Sequence, residues 1–320
     1  MKPIEPVAIE KIRAAAGRIR GHALRTPMVR LDAGNGPAEI WLKLENLQPI
    51  GSFKIRGACN AISQAPRERL RPGVYTASAG NMAQGVGWMA RALGLPFTVV
   101  VPDHAPEAKL SAIRRLGGTI LSRPFDAWWR VLEQHGDPGI EGFFVHPVSD
   151  AEVIAGNGTI GLEIAQDLPD VDAVIVPYGG GGLSSGIACA LRSTAPHARV
   201  FAAELETSAA LRGALEAGEP VDVPYTRSFV DGVGSKRVLP EMFPLVRAVL
   251  AGSIVVTIDA VVHALRLLVE RNHVVAEGAG AASVAAALSG AAGGGRIVCV
   301  VSGGNIDPLK LAAILRGETP

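Results

Sequence analysis

The 320-residue sequence has little net charge, few cysteines and no apolar run suited to a membrane helix. Its formal net charge is +1, so no global field draws the chain to nucleic acid or to an anionic membrane. The three cysteines, Cys59, Cys189 and Cys299, lie far apart with no metal-ligand spacing. They read as buried thiols acting as small hydrophobes in a reducing compartment. The opening stretch, MKPIEPVAIEKIRAAAGRIRGH, carries Glu5 and Glu10 and no unbroken apolar core, which argues against a signal peptide or an anchor. The longest uncharged stretch, Ala173 to Leu191, contains Pro177 and four consecutive glycines, which a lipid-exposed helix does not tolerate. No repeat or low-complexity segment is present, and Gly290–Gly295 reads as a plain connection. The expectation is a cytoplasmic protein with neither membrane nor nucleic-acid partner.

Apolar residues make up 48% of the chain and charged residues 19%, enough for a sizeable core and against disorder. Short β-branched runs read as strands at Phe97–Val101, Phe143–Val145, Ala173–Val176, Val200–Ala203, Ile254–Thr257 and Ile297–Val301. Between them, apolar residues recur at helical spacing over Asn81–Leu93, Ala108–Leu116, Gly156–Asp167, Leu183–Arg192, Val261–Arg271 and Ala281–Leu288. This alternation predicts an α/β protein of parallel twisted sheets covered by helices.

Four segments carry candidate chemistry. In Gly51-Ser52-Phe53-Lys54-Ile55-Arg56-Gly57, Ser52 is a candidate helix cap that places Lys54 in the first turn of a helix running to about Ala65. The helix dipole disfavours a cation there, which biases the amine toward the neutral, nucleophilic form that Schiff-base chemistry needs. Alone, this segment reads first as an ordinary surface lysine, since lysines near helix starts are common.

Gly179-Gly180-Gly181-Gly182-Leu183 follows the strand DAVIVPY and precedes a helix, a strand–turn–helix arrangement whose bare amides suit a phosphate. The run lacks the ending of a P-loop. Gly180, Gly182 and Ser185, with Glu204 downstream, also approximate a dinucleotide fingerprint, so an NAD-linked dehydrogenase is a competing reading. Ser78-Ala79-Gly80-Asn81-Met82 stands between a strand end and a helix, and Ser302-Gly303-Gly304-Asn305 follows the strand RIVCVV. Taken singly, each is a capped helix start or a turn as readily as a ligand contact.

In this order and spacing, SFKIRGA, SAGNMAQG, GGGGL and SGGN resemble the pyridoxal-phosphate (PLP) dependent threonine/serine dehydratase and serine racemase family, of the tryptophan synthase β-like fold (fold type II). The resemblance runs from Arg25-Thr26-Pro27 through KLENLQPIGSFK and HP..D...IAGNGTIGLEI to AEGAGAASVAAAL and SGGN. It implies that Lys54 holds the cofactor as a Schiff base and acts as general base at the substrate Cα. Phe53 would pack near the cofactor ring, and Gly179, Gly180, Gly181, Gly182 and Leu183 would cradle its phosphate. Asn81 would bond the cofactor 3′-oxygen and Ser302 would face the pyridine nitrogen. Ser78, Ala79, Gly80, Asn81 and Met82 would grip the substrate carboxylate. The implied reaction is β-elimination from a β-hydroxy-L-amino acid to a 2-oxo acid and ammonia. The alternatives are a β-replacement synthase of the same fold and a catalytically silent PLP-binding protein. The implied assembly is a homodimer. The implied organisation is a large cofactor domain of residues 1–72 and 149–320, with a small mobile domain of residues 73–148.

The sequence departs from the family pattern at several positions. Met82 stands where histidine is usual, and Ala79 where serine racemases carry serine. Ala210 replaces the acidic partner of a glutamate that matches Glu204, so no metal site is expected. Trp129 aligns with an arginine of the racemases. Met82 with Trp128 and Trp129 suggests an enlarged apolar pocket, suited to a phenylserine, or equally a Met82 directed into the domain core with the tryptophans covering its surface.

Overall fold

The β-branched runs pair into two separate sheets in the computed structural model, which describes residues 2–34 and 38–320. One sheet contains β1 (Met28–Arg30), β2 (Ala38–Leu44), β7 (Ala173–Pro177), β8 (Arg199–Leu205), β9 (Gly252–Val256) and β10 (Gly295–Val301). Their spatial order is β1-β2-β10-β7-β8-β9, parallel throughout except where β1 meets β2. The other sheet contains β3 (Val74–Ala77), β4 (Phe97–Pro102), β5 (Thr119–Arg123) and β6 (Phe143–Phe144), all parallel in the order β5-β4-β3-β6.

The helices, in chain order, are α1 (Ile9–Arg18), α2 (Lys54–Gln64), α3 (Arg67–Leu70), α4 (Asn81–Leu93), α5 (Glu107–Arg115), α6 (Phe125–Glu133) and α7 (Ala151–Asp167). They continue with α8 (Gly182–Thr194), α9 (Ala210–Ala217), α10 (Phe243–Val249), α11 (Ile258–Asn272), α12 (Gly278–Leu288) and α13 (Pro308–Leu315). Among the described residues, no helix is long and apolar enough to cross a membrane.

Helix α7 starts earlier than its apolar spacing suggests because Asp150 caps it, accepting the amides of Glu152 and Val153. Strand β2 is absent from the sequence reading because AEIWLKL breaks the apolar pattern with Lys43. That side chain is fully buried, donating to the carbonyl of Thr26 at 2.7 Å and pairing with Glu163 at 2.6 Å. Helix α2 lies between the sheets. It packs on α7 and also on α4, where Ile55, Ala58 and Ile62 share a buried cluster with Val74, Val86 and Val99.

Each sheet has one point where the strand order reverses. In the first sheet it lies between β7 and β10, and in the second between β3 and β6. Ligands of open α/β sheets bind beyond the carboxyl ends of the strands at such points. The loops leaving these four strands are the glycine run, the Ser302 loop, the Ser78–Asn81 loop and the segment His146–Ser149.

Candidate active site

Helix α2 begins at Lys54, and Ser52 does not cap it. Phe53 occupies the N-cap position with helical dihedrals and no side-chain cap, and the Ser52 hydroxyl is buried without a partner among the described residues. Backbone contacts hold this corner instead. The Phe53 amide donates to the Ser302 carbonyl at 3.0 Å, and Ser52 bridges to Gly303. Ser302, itself 3% exposed, is thereby placed beside Phe53 and Lys54. The Lys54 amine donates to the Pro147 carbonyl at 2.7 Å and stands 5.2 Å from the centre of the Phe53 ring. Burial pulls its pKa down to about 8, against a smaller raising pull from the Glu277 carboxylate.

The glycine run is needed for close packing as well as for its amides. A Cβ at Gly180 would lie 2.6 Å from a Val148 methyl, one at Gly179 2.6 Å from the Gly232 carbonyl, and one at Gly182 2.8 Å from the Val148 carbonyl. Gly181, at φ +93°, leads directly into α8. Among the described residues, no acceptor is paired with the amides of Gly179, Gly180 or Gly181. Leu183 turns its side chain into the buried cluster beneath α8.

Asn81, the first residue of α4, reaches across to the other sheet. Its Nδ2 donates to Glu277 at 2.9 Å, and its Oδ1 accepts from Asn305 Nδ2 at 2.8 Å. These two bonds set the orientation of the amide and leave one N–H free for a ligand. Glu277 precedes α12, and burial raises its carboxyl to about 7. Ser78, Ala79 and Gly80 are half-buried beside Asn81, with the Ser78 hydroxyl accepting the Gly80 amide.

Met82 does not face this group. It is 1% exposed, in the apolar cluster with Ile55, Val86 and Val145. Trp128 and Trp129 gather around Phe125 on α6, and the Trp129 indole donates to Glu133. Of the two placements open to Met82, the structure shows the one in the domain core. The two tryptophans stay partly buried against the cluster of Tyr75, Val131 and Phe144.

Glu204 is likewise turned inward. Its carboxylate accepts the amides of Leu211 and Arg212 at the start of α9 and the hydroxyl of Ser253. A dinucleotide reading needs this side chain on a ribose, so the dehydrogenase alternative loses its acidic residue. Among the described residues, no group of three or more His, Cys, Asp or Glu side chains is arranged to hold a metal.

The sequence reading did not single out Glu277 or Pro147. Glu277 lay in plain view within AEGAGA, and Pro147 within the HP..D segment, but no local pattern distinguishes either from a helix flank or a turn.

The sequence matches the family described as "Pyridoxal-phosphate dependent enzyme" over residues 19–303. It is 40% identical over 311 residues to an L-threonine ammonia-lyase of Geobacter sulfurreducens, covering 95% of this chain and 77% of that protein. It is 38% identical over 316 residues to the catabolic L-threonine dehydratase of Escherichia coli K12, covering 97% and 96%. The fold is similar to that of maize serine racemase, with a TM-score of 0.87 at 32% identity and coverage of 98% of each chain.

Proposed function

Because the chain belongs to the pyridoxal-phosphate dependent enzyme family, we propose that it dehydrates and deaminates a β-hydroxy-L-amino acid of the threonine/serine type, with Lys54 as the reacting lysine. The observation that carries this reading is the Lys54 amine itself. Burial lowers its pKa to about 8, and it is held against a carbonyl where the loops of both reversal points meet.

The residues present suit the cofactor. The glycine run cannot accept side chains and keeps three backbone amides free of protein acceptors among the described residues, which is what a phosphate requires. Ser302 lies beside Phe53 and Lys54 for the ring nitrogen, and Asn81 retains one N–H for the 3′-oxygen. When bound, pyridoxal phosphate supplies a carbonyl carbon that joins amines and a ring that withdraws electrons from the substrate Cα.

Lys54 takes the Cα proton, because a lysine with a pKa of about 8 is substantially neutral just above neutral pH. Glu277, with a carboxyl near 7, holds a proton or releases it over the same range and keeps the Asn81 amide oriented. The Ser78–Asn81 loop orients the substrate carboxylate. The second sheet with its helices, residues 73–148, acts as the mobile small domain, closing on residues 1–72 and 149–320 to exclude water. The working state is a homodimer, in the cytoplasm, where a reducing medium accords with three buried, unpaired cysteines.

The placement of Met82 favours threonine or serine over an aryl-serine. Release of 2-oxo acid from L-threonine, L-serine and threo-phenylserine tests the reading. Threonine or serine is expected to give the highest kcat/KM by about tenfold, equivalent to about 1.4 kcal/mol. A yellow protein that releases no 2-oxo acid from any of them, or that instead forms a β-substituted amino acid when a second nucleophile is added, would overturn it.

A further inference from the structure

Behind the Lys54 amine, the side chains of His135, His146, Ser149 and Glu241 converge, and none of them has an assigned cofactor or substrate contact. His146 is 2% exposed. Its Nδ1 accepts the backbone amides of Val148 at 3.0 Å and Ser149 at 2.7 Å, and its Nε2 lies 3.2 Å from the Leu132 carbonyl. A carbonyl only accepts, so Nε2 carries the proton and the ring is one defined neutral tautomer. Burial first, and then the neighbouring His135, pull the His146 pKa down to about 3. The two imidazoles stack with centres 4.3 Å apart. The Ser149 hydroxyl donates to Glu241 at 2.9 Å and lies 3.2 Å from His135 Nε2. Burial alone would raise the Glu241 carboxyl, but His135, its own backbone and Ser149 together hold it at about 2.

The consequence lies in the turn these groups shape. Two amides of residues 146–149 fall on a single imidazole nitrogen, so the ring acts as the template of the turn. Between those anchors, the Pro147 carbonyl is aimed at the Lys54 amine, 2.7 Å away. The side chain and carbonyl of Val148 press on Gly180 and Gly182. One short segment therefore touches both the amine and the glycine run, and Glu241 ties it to the residues just before α10.

We propose that His146, braced by Ser149 and Glu241, is a positioning residue for Lys54: its neutral ring fixes the turn whose Pro147 carbonyl holds the amine. This rests on the reading of Lys54 as the reacting lysine. A neutral amine has two N–H groups and one lone pair, so tethering one N–H limits where the lone pair points. The same carbonyl favours the ammonium form, so its loss lowers the amine pKa further.

The test labels cofactor-free protein with trinitrobenzenesulfonate across pH and reads Lys54 modification by peptide mass. His146→Asn keeps an acceptor near the position of Nδ1, whereas His146→Leu keeps bulk without one. Wild type and His146→Asn should share a labelling midpoint, with His146→Leu shifted down by about half a unit or more. In the holoenzyme, His146→Leu should lose about tenfold or more in kcat with KM little changed. Superimposed labelling profiles for wild type and a folded His146→Leu would overturn the proposal. If that variant does not fold, Ser149→Ala decides. A smaller shift in the same direction supports the role, and an unmoved midpoint refutes it. Absence of 2-oxo acid release by wild type would instead count against the proposed function, since the labelling needs no turnover.

Discussion

Lys54 and Arg56 stand in the same first turn of α2, yet the two cations are handled in opposite ways. Arg56 is 1% exposed and donates to both oxygens of Glu45 at 2.8 Å and to Glu163 at 2.6 and 2.9 Å. Burial alone would discharge it, but the two carboxylates more than offset that and raise its pKa. Lys54 has a carbonyl as its hydrogen-bond partner and a more weakly felt carboxylate, and burial wins. Two carboxylates mirror the pair. Burial pushes up both Glu45 and Glu277, but Arg56 brings Glu45 below its ordinary value, while Glu277 stays raised at about 7. The number and charge of the partners, not depth, decides which buried group is a strut and which is a reagent.

Separating function from stability breaks the comparison most sharply. Lys54→Ala should hold pyridoxal phosphate only noncovalently, losing it on dialysis, and lower kcat by about 10⁴-fold or more, at the upper end of what a general base contributes. Its urea midpoint should be unchanged or slightly raised, because a poorly paired buried amine is gone. A large fall in that midpoint would make Lys54 a strut as well. Arg56→Met should do the reverse, costing about 3–5 kcal/mol in urea unfolding because Glu45 is left buried without its cation and Glu163 with Lys43 alone. A cost below about 1 kcal/mol would show that the network relaxes freely.

The carboxylates give opposite pH signatures. The Glu45 carboxyl is held low, so its contribution is present above the unfolded value near 4.5 and is lost as pH falls through the folded one. The Glu277 carboxyl is raised from 4.5 to about 7, so the native state binds more protons in that window and stability falls as pH rises through it. Glu277→Gln should remove that fall between pH 5 and 7, and Glu45→Gln should weaken the protein above pH 5. Urea midpoints of the cofactor-free proteins across pH would show both, and identical profiles would erase the distinction. The smallest expected effect concerns the far side of the cleft. Ala79 has no proton to exchange, so L-serine should yield 2-oxo acid with little D-serine by chiral chromatography. Rapid racemisation would mean that a group other than Lys54 reaches Cα.

Much of this was legible along the chain because its signals are short-range. The spacing of Asn81–Leu93 defines α4 to the residue. The strand–glycine–helix run at 173–194 marked a tight turn with bare amides at a helix start, since four consecutive residues carry no side chain. The order of four such segments was enough to indicate family and cofactor before any fold was in hand.

The tertiary structure decided everything that depends on which strands lie side by side. The bond from Lys54 to Pro147 spans 93 positions and that from Asn81 to Glu277 spans 196, and no periodicity encodes either. Met82 had two possible directions from the same helix, and only the packing of α4 on α2 sends it into the core. Lys43 hid β2 because its partner Glu163 sits on α7, far along the chain. The sequence by itself determined which groups can do chemistry, since that resides in residue types and local turns. The order of strands in two sheets determined which of them meet, because long-range hydrogen bonds and burial, not local propensity, set each group's charge and direction.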